Sequence, residues 1–291
     1  MSLALPSRSP VLDRLRRRFA RWPWATLAEM AARAGYAARG AVYLSIGAIG
    51  LMAAADLTPH AEGALGALEA WGEWPPGVAL LWLTGLGLYG FAGWRALQAL
   101  FDPDGLGRSP KALACRAGQA VSGAVHAGLA ISVFGLLDAI EDLHEADDRE
   151  STRAAVGKAL ELPAGELLVM AVGLFIVGVA AGNILRAVFD HFGRGLKGDA
   201  GTRRLAGWLG RLGYLARGLA FLPGGVFLVL AGWRARTAEV RGLGATLDAL
   251  ENQPLGNPAL ALLALGLMAF GGFALMEAWR RPIRTERAIR G

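Results

Sequence analysis

The sequence has little of what enzymes and metalloproteins use for chemistry. It contains one cysteine, Cys115, which excludes an intrachain disulfide and a cysteine metal cluster. It has no Gly-rich phosphate loop, no His-Glu-x-x-His helix, no Gly-x-Ser-x-Gly elbow and no Cys/His zinc spacing. From these absences we expect a non-enzymatic protein with no catalytic residues, no cofactor and no metal site.

Apolar sequence, in contrast, is abundant. Hydrophobic residues make up 54% of the chain and its mean hydropathy is +0.38, whereas a soluble domain is about 45–50% apolar. Crossing a bilayer takes about 20 apolar residues, and six charge-free segments are 16 to 21 residues long. They are residues 40–55, 77–94, 117–137, 167–185, 218–233 and 257–276. The two shortest follow Arg39 and Arg217, whose side chains can extend to the membrane surface and so lengthen the helix. We therefore predict an all-α membrane protein with six transmembrane helices.

The charge is basic and unevenly placed. The net charge is +6, with 27 arginines and 3 lysines. Segments 1–39, 95–116, 186–217 and 277–291 hold 24 of these 30 residues, while connections 56–76, 138–166 and 234–256 hold six of them and 16 of the 24 acidic residues. Basic residues accumulate on the cytoplasmic side of membrane proteins. We therefore predict cytoplasmic termini and contact with anionic lipid, and no nucleic-acid partner.

A weak phrase, Arg-x-Gly-x-x-x-x-Gly, occurs three times. Its copies begin at Arg33, Arg116 and Arg211, and each precedes a long apolar stretch. A Pro-x-Gly marker closes each outside connection at 75–77, 163–165 and 254–256, and a short helix-like run that we interpret as amphipathic precedes each marker. An even number of crossings returns each unit to the same side. The pattern predicts three parallel two-helix repeats, packed with pseudo-threefold symmetry.

These markers divide the chain into four parts. Residues 1–32 form a basic cytoplasmic arm, which we interpret as an amphipathic helix on the inner leaflet. Residues 33–110, 111–200 and 201–291 form the three repeats, the third with a basic tail.

At these repeats the chain resembles the DUF1206 family, bacterial integral membrane proteins of unknown function with tandem two-helix repeats that begin Gly-Tyr-x-x-Arg-Gly. Residues 35–40 and 213–218 match this motif, and the resemblance spans about residues 30–285. The middle copy departs from it, with Gln119 in place of Tyr and Ser122 in place of Arg. The resemblance implies a bacterial cytoplasmic membrane location, and it carries no activity to this chain.

The first candidate site comes from aligning the second helices at their Pro-x-Gly markers. Gln98, Arg186 and Glu277 share one position, and Asp102, Asp190 and Arg281 follow one turn later. Charges inside a membrane are costly and usually pair. One interpretation is a cytoplasmic-side network in which Gln98 bridges an Arg186–Glu277 pair. The other is a set of separate charges that reach the membrane surface independently.

The second candidate site lies in the middle repeat. Gln119, Ser122 and His126 share one helix face, and Asn183 lies on the partner helix. These residues form either a polar intramembrane site, such as a gate, a proton relay or a ligand site, or an interhelical hydrogen-bond network. Because this repeat has lost the Tyr and Arg of the motif, we expect any asymmetric site to lie here.

The third candidate set is the Tyr and Arg of the motif in the first and third copies, which are Tyr36 with Arg39 and Tyr214 with Arg217. We expect them at the inner headgroup level, where Tyr is common and Arg binds phosphate. Interhelical capping and solute recognition are the alternatives.

Three classes of function fit this sequence. The first is a structural bundle that binds lipid or another membrane protein. The second is a channel or transporter for a small solute or ion, with its polar site in the middle repeat. The third is an intramembrane enzyme that acts on lipid, which needs a polar site near one interface.

Overall fold

The computed structural model describes residues 24–58, 61, 63–72, 75–102, 105–107, 109–142, 148–237, 243–251 and 256–282. In these residues all regular structure is helical. Six helices are long: α1 (Trp24–Ala54), α3 (Pro75–Phe101), α4 (Pro110–Asp142), α6 (Gly165–Phe189), α7 (Ala200–Arg234) and α9 (Gly256–Arg280). Three are short: α2 (Ala64–Gly72), α5 (Asp148–Leu160) and α8 (Leu243–Glu251); a 3₁₀ turn spans Phe192–Gly195.

The six long helices are the six membrane spans expected from the sequence. Within the described ranges, each is long and apolar enough to cross a bilayer. For the described part of the chain, the all-α class and the six candidate spans are therefore confirmed. The amphipathic helix predicted for the N-terminal arm falls mostly on residues 1–23, outside the described part of the chain.

The first long helix of each repeat begins before the Arg-x-Gly-x-x-x-x-Gly phrase. Helix α1 starts at Trp24, α4 at Pro110 and α7 at Ala200, so Arg33, Arg116 and Arg211 lie inside their helices. The phrase was expected to mark the beginning of these helices. It lies instead one or more turns inside, because the preceding residues continue the helix at the end of the bundle where the basic residues concentrate. We call this end the basic end.

A short helix precedes the second long helix of each repeat, and the Pro-x-Gly markers coincide with the starts of α3, α6 and α9. Glycine is needed where the two helices of the first connection meet, because a Cβ on Gly77 would overlap the carbonyl group of Trp71. Gly165 has the same relation to the carbonyl oxygen of Ala159. The marker therefore allows a tight turn from the short helix into the membrane span.

The six long helices pack side by side in a ring that is open between two of them. Helix α4 packs on α3, α3 on α1, α1 on α9, α9 on α7, and α7 on α6. Among the described residues, the two ends of this open ring, α4 and α6, share no comparable packing. These are the two helices of the middle repeat, and we call the place where they fail to pack the open seam.

The contacts between repeats are built alike at all three junctions. A Cβ atom on Gly40 would lie 3.0 Å from the Gly271 carbonyl oxygen. A Cβ on the equivalent Gly123 would lie 3.2 Å from that of Ala92, and one on Gly218 would lie 2.8 Å from that of Ala180. The three accepting residues occupy the same position after their markers. Small residues allow this close approach of helices in a membrane.

The contacts within repeats, in contrast, are formed in only two of the three. A Cβ on Gly35 would lie 2.6 Å from the Cα of Phe91, and one on Gly213 would lie 2.5 Å from the Cα of Phe270. A Cβ on the equivalent Gly118 would meet no atom within 4 Å. The first and third hairpins are therefore closed at this level, and the middle hairpin is open.

The open seam has a cause in the sequence of both its helices. On α4, Gln119 stands where the other repeats have Tyr36 and Tyr214, and α6 lacks two aromatic residues of its counterparts. Phe91 and Phe270 correspond to Val179, and Trp94 and Phe273 correspond to Gly182, when the repeats are aligned at their markers. In the closed hairpins the aromatic side chains are buried, and Tyr36 and Tyr214 meet Phe91 and Phe270 edge-on at ring distances of 5.3 and 5.1 Å. The middle repeat lacks these aromatic residues, so its two helices have little to pack between them.

Candidate ligand-binding cavity

A cavity of about 510 Å³ lies at the basic end, with α4 on one side and α6 on the other. Its volume is within the range of about 300–1,000 Å³ typical of ligand sites. Its polar lining comes from five of the six long helices and from the residue that follows α9. Those residues are Arg95, Gln119, Ser122, Arg186, Tyr214, Glu277 and Arg281.

Arg95 is the arginine of this cavity that has the fewest partners. Its Nη1 donates to Oε1 of Gln98 at 3.0 Å, and its guanidinium lies 4.8 Å from the ring centre of Phe91. Its Nε is buried and has no hydrogen-bond partner. No carboxylate of a described residue forms an ion pair with it. Gln98, one of the predicted network residues, therefore binds a different arginine from the one expected.

Arg186 lines the same cavity from α6. Its guanidinium lies 4.4 Å from the ring centre of Tyr214 and donates from Nη1 to the Tyr214 hydroxyl at 3.2 Å. Its Nε donates to Asp190 Oδ2 at 2.7 Å. A neighbouring cavity of about 400 Å³ shares Arg186, Glu277 and Arg281 with the first. These three side chains therefore stand where the two cavities meet.

Glu277 pairs with two arginines, and neither of them is Arg186. Its Oε2 accepts from Arg39 at 3.2 Å and its Oε1 from Arg281 at 2.5 Å. The interpretation in which Gln98 bridges an Arg186–Glu277 pair therefore does not hold, although Arg186 and Glu277 line the same cavity and Glu277 pairs with Arg281 of the candidate network. Positions on the second helices alone do not include Arg39, the partner of Glu277 that comes from α1.

The expected headgroup contacts of the motif residues are also wrong in their placement. Arg39 and Tyr36 are only 3% and 0% exposed, and Tyr214 is buried. The Arg39 guanidinium lies 4.7 Å from the ring centre of Phe270 and 5.4 Å from that of Phe91. Arg217 is half-buried and donates from Nε to a hydroxyl group on α1 at 2.9 Å. The helices continue past the motif toward the basic end, so these side chains face other helices, as in the capping alternative.

The residues predicted in the middle repeat separate into two groups. Gln119 and Ser122 line the cavity, and the buried Oε1 of Gln119 has no hydrogen-bond partner. His126 does not line it: its Nδ1 bonds the Ser122 carbonyl oxygen at 2.7 Å, and its ring lies 4.6 Å from Phe91. Asn183 is buried on α6, outside the cavity lining, with an unpartnered Nδ2.

The contact made by His126 has an equivalent in another repeat. Tyr43 is its equivalent in the first repeat, and the Tyr43 ring lies 4.6 Å from Phe270, just as His126 lies 4.6 Å from Phe91. Both contacts join one repeat to the second helix of the preceding repeat. This correspondence favours the interhelical alternative for His126.

Asp102 lies apart from the predicted network. Its carboxylate accepts hydrogen bonds from the backbone N–H groups of Gly107 and Leu106, at 2.7 and 2.8 Å. These bonds to the charged form lower the pKa of Asp102 below its usual value of 3.8. Asp199 is similar: it caps α7 through Thr202, and that contact lowers its pKa. Both carboxylates stabilise backbone turns and do not contribute to the cavity.

Two contributors to the site were missed from sequence. Arg95 was not among the predicted residues, although its equivalent in the middle repeat, Asn183, was. The replacement of Phe by Val179 was missed as well. Both are visible in the sequence when the repeats are aligned at their markers, since Arg95 lies three residues before Gln98 and Val179 lies seven before Arg186.

The comparisons with known proteins agree with this repeat architecture. The sequence model of the family described as Domain of Unknown Function (DUF1206) matches residues 34–102, 117–190 and 212–281. A protein of Bacillus subtilis (strain 168), "Uncharacterized protein YxxB", is 29% identical over 262 residues, which is 88% of this chain and 92% of that protein. No solved structure matches the chain. Because the three matches together cover most of its length, the chain belongs to the DUF1206 family.

Proposed function

We propose that this protein is a non-enzymatic lipid-binding protein of the bacterial cytoplasmic membrane, and that a lipid enters it through the open seam. The observation that carries the proposal is a polar cavity between two membrane helices that do not pack on each other. A lipid can place its polar headgroup in the cavity while its acyl chains lie along the seam.

The apolar surface of the seam helices supports this proposal. Helices α4 and α6 are the least buried of the six spans. Gly178 and Gly182 on α6 have no neighbouring atoms within 4 Å of a built Cβ, whereas the equivalent of Gly178, Gly90, lies against Ala31 of α1. Acyl chains would cover the surface that an aromatic-lined hairpin interface covers in the other two repeats.

We further propose that the three repeats are related by pseudo-threefold symmetry, with both termini cytoplasmic. The equivalent glycine contacts at the three junctions between repeats support the symmetry. The concentration of arginines at one end of the bundle supports the orientation, because basic loops remain cytoplasmic. In this orientation the cavity is at the inner leaflet, where anionic lipids lie.

The test is the amount of lipid that copurifies with the protein. Gly118→Trp would place a large side chain in the seam, where Gly118 lines the cavity. The control is Ile131→Trp, which adds the same side chain to an exposed position of the same helix outside the cavity lining. We expect Gly118→Trp alone to lose bound lipid by mass spectrometry. Equal lipid content in both variants and the natural protein would contradict the proposal.

A transporter of small solutes is the second candidate. It is favoured by one observation, the polar side chains of Gln119 and Ser122 that line the cavity from the middle repeat. Proteoliposomes loaded with solute would test it. Flux equal to that of protein-free liposomes would exclude transport of that solute and leave the lipid-binding proposal unaffected.

A further inference from the structure

The cavity at the open seam has more cationic than anionic groups. Arg95, Arg186 and Arg281 line it, with Glu277 as the one carboxylate of the lining. That carboxylate is engaged by Arg281 and by Arg39 behind it, and Arg186 pairs with Asp190 outside the lining, whereas no carboxylate of a described residue pairs with Arg95. Charged groups within a membrane are normally balanced by partners. The excess of positive charge therefore indicates that the natural occupant of the cavity carries a negative charge.

The arginine side chains indicate which anionic group the cavity binds. A guanidinium presents its N–H groups in a planar fork that matches the oxygens of phosphate or carboxylate. Arg95 on α3 and Arg186 on α6 both line the cavity, and each guanidinium lies over an aromatic ring, Phe91 at 4.8 Å and Tyr214 at 4.4 Å. Two guanidiniums that line one cavity can bind several oxygens of one group, which a tetrahedral phosphate provides.

The neutral groups of the lining complete such a site. The Ser122 hydroxyl and the Gln119 amide lie on the α4 side of the cavity. The Gln119 Oε1 and the Arg95 Nε are both buried without a hydrogen-bond partner. An amide can turn its NH₂ group toward an acceptor, and Nε–H is a donor. A bound phosphate would accept from Arg95 Nε–H and, with the amide turned, from the Gln119 NH₂ group. The Arg95 donor would then no longer be buried unpaired, which costs free energy.

We propose that this cavity is a phosphate-binding site, in which Arg95 and Arg186 hold a phosphate group with Arg281, Gln119 and Ser122 around it. This inference rests on the proposed lipid-binding function, because the open seam makes a phospholipid headgroup the expected source of the phosphate. Free inorganic phosphate has the same chemistry, and a binding experiment distinguishes it from a phospholipid headgroup.

The binding experiment uses the full-length protein in a neutral detergent, with native mass spectrometry as the readout. Phosphatidic acid is compared with diacylglycerol of the same acyl chains, and inorganic phosphate is added as a competitor. We expect phosphatidic acid to bind about tenfold or more tightly than diacylglycerol, because each charge-assisted hydrogen bond contributes enough for such a factor. Inorganic phosphate should displace it.

Variants assign the site to individual side chains. Arg95→Gln and Arg186→Gln should each weaken phosphatidic acid binding about tenfold or more, while diacylglycerol binding is unchanged. The matched control is Arg211→Gln, an exposed arginine near the basic end outside this cavity. Arg186 has a half-exposed side chain, 52%, so its variant should fold even if Arg95→Gln does not. Arg95→Lys, which retains charge without the fork, should bind at an intermediate level.

Each outcome supports or overturns one of the two proposals. Equal binding of phosphatidic acid and diacylglycerol would overturn the phosphate site and leave lipid binding standing. Binding of inorganic phosphate without either lipid would support the phosphate site and overturn lipid binding. An equal loss in Arg211→Gln would place the anion on the basic surface, which overturns the cavity as its site.

Discussion

At the scale of single residues, the pair of Arg39 and Glu277 is the most consequential ionic contact among the described residues. Its side chains are 4% and 7% exposed, whereas those of Arg186 and Asp190 are 52% and 44% exposed. Removing one partner of a buried pair leaves an uncompensated charge, which costs far more than the loss of a surface pair. The two pairs therefore offer a matched comparison.

We expect Glu277→Gln to lower the free energy of unfolding by about 3 kcal/mol or more, because it leaves Arg39 unpaired in the bundle. Asp190→Asn should lower it by about 1 kcal/mol or less, since its pair is exposed to solvent. Denaturation in mixed micelles, followed by loss of helical circular dichroism, measures both. Similar losses in the two variants would contradict the burial of the Arg39–Glu277 pair.

A double-mutant cycle identifies the partner of Glu277 independently. The combination of Arg39→Gln with Glu277→Gln should show strong coupling, because these side chains bind each other. Arg186→Gln with Glu277→Gln should be closer to additive, since their guanidinium and carboxylate share a cavity without an ion pair. Stronger coupling of Glu277 to Arg186 than to Arg39 would contradict the observed pairing and favour an Arg186–Glu277 pair.

The sequence predicted which residue types matter at this scale better than it predicted their partners. Glu277, Arg186, Gln119 and Ser122 were selected, and all four line one cavity. The partners were missed because an alignment of equivalent helices contains no information about contacts between non-equivalent ones. Arg39 was placed at the headgroups because an arginine before an apolar run can be either exposed or paired across helices. Only the extension of α1 beyond the motif decides between these.

At the scale of helices, one glycine position distinguishes the three hairpins. Gly35, Gly118 and Gly213 are equivalent in sequence, but a Cβ meets the facing helix in only the first and third. The sequence predicted the three two-helix repeats. It did not predict that the middle hairpin is open, although the missing aromatic residues at Val179 and Gly182 are the cause.

We expect Gly35→Ala and Gly213→Ala each to destabilise the protein by about 1–3 kcal/mol, because the new methyl group would meet backbone atoms that cannot rotate away. Gly118→Ala should be neutral or stabilising by up to about 1 kcal/mol, since alanine favours the helix and nothing opposes the methyl group. The same unfolding measurement serves all three. Equal losses at the three positions would mean that the middle hairpin is closed like the others.

At the scale of the whole molecule, the distribution of arginines predicts how the bundle sits in the membrane. The single cysteine of the chain provides a natural probe, because Cys115 is exposed and lines the cavity at the basic end. No engineered cysteine is needed to report on that end. Its accessibility from either side of the membrane therefore tests the proposed orientation.

We expect a membrane-impermeant maleimide to label Cys115 in inside-out vesicles and not in intact spheroplasts. Arg236→Cys in a Cys115→Ser background is the control, because residue 236 is exposed at the opposite end and should give the reverse pattern. Mass shifts of the purified protein measure the labelling. Labelling of Cys115 from outside intact cells would contradict the cytoplasmic placement of the cavity.

The open seam follows from the missing aromatic residues, because without them α4 and α6 do not pack on each other. The cationic cavity lies between these two helices. A photoreactive benzoylphenylalanine in place of Gly118 reports directly on what fills that space in the native membrane. We expect its cross-links, identified by mass spectrometry after irradiation, to be to phospholipid. Cross-links to residues 178–182 of α6 instead would show that the middle hairpin is closed and would contradict the lipid-filled seam.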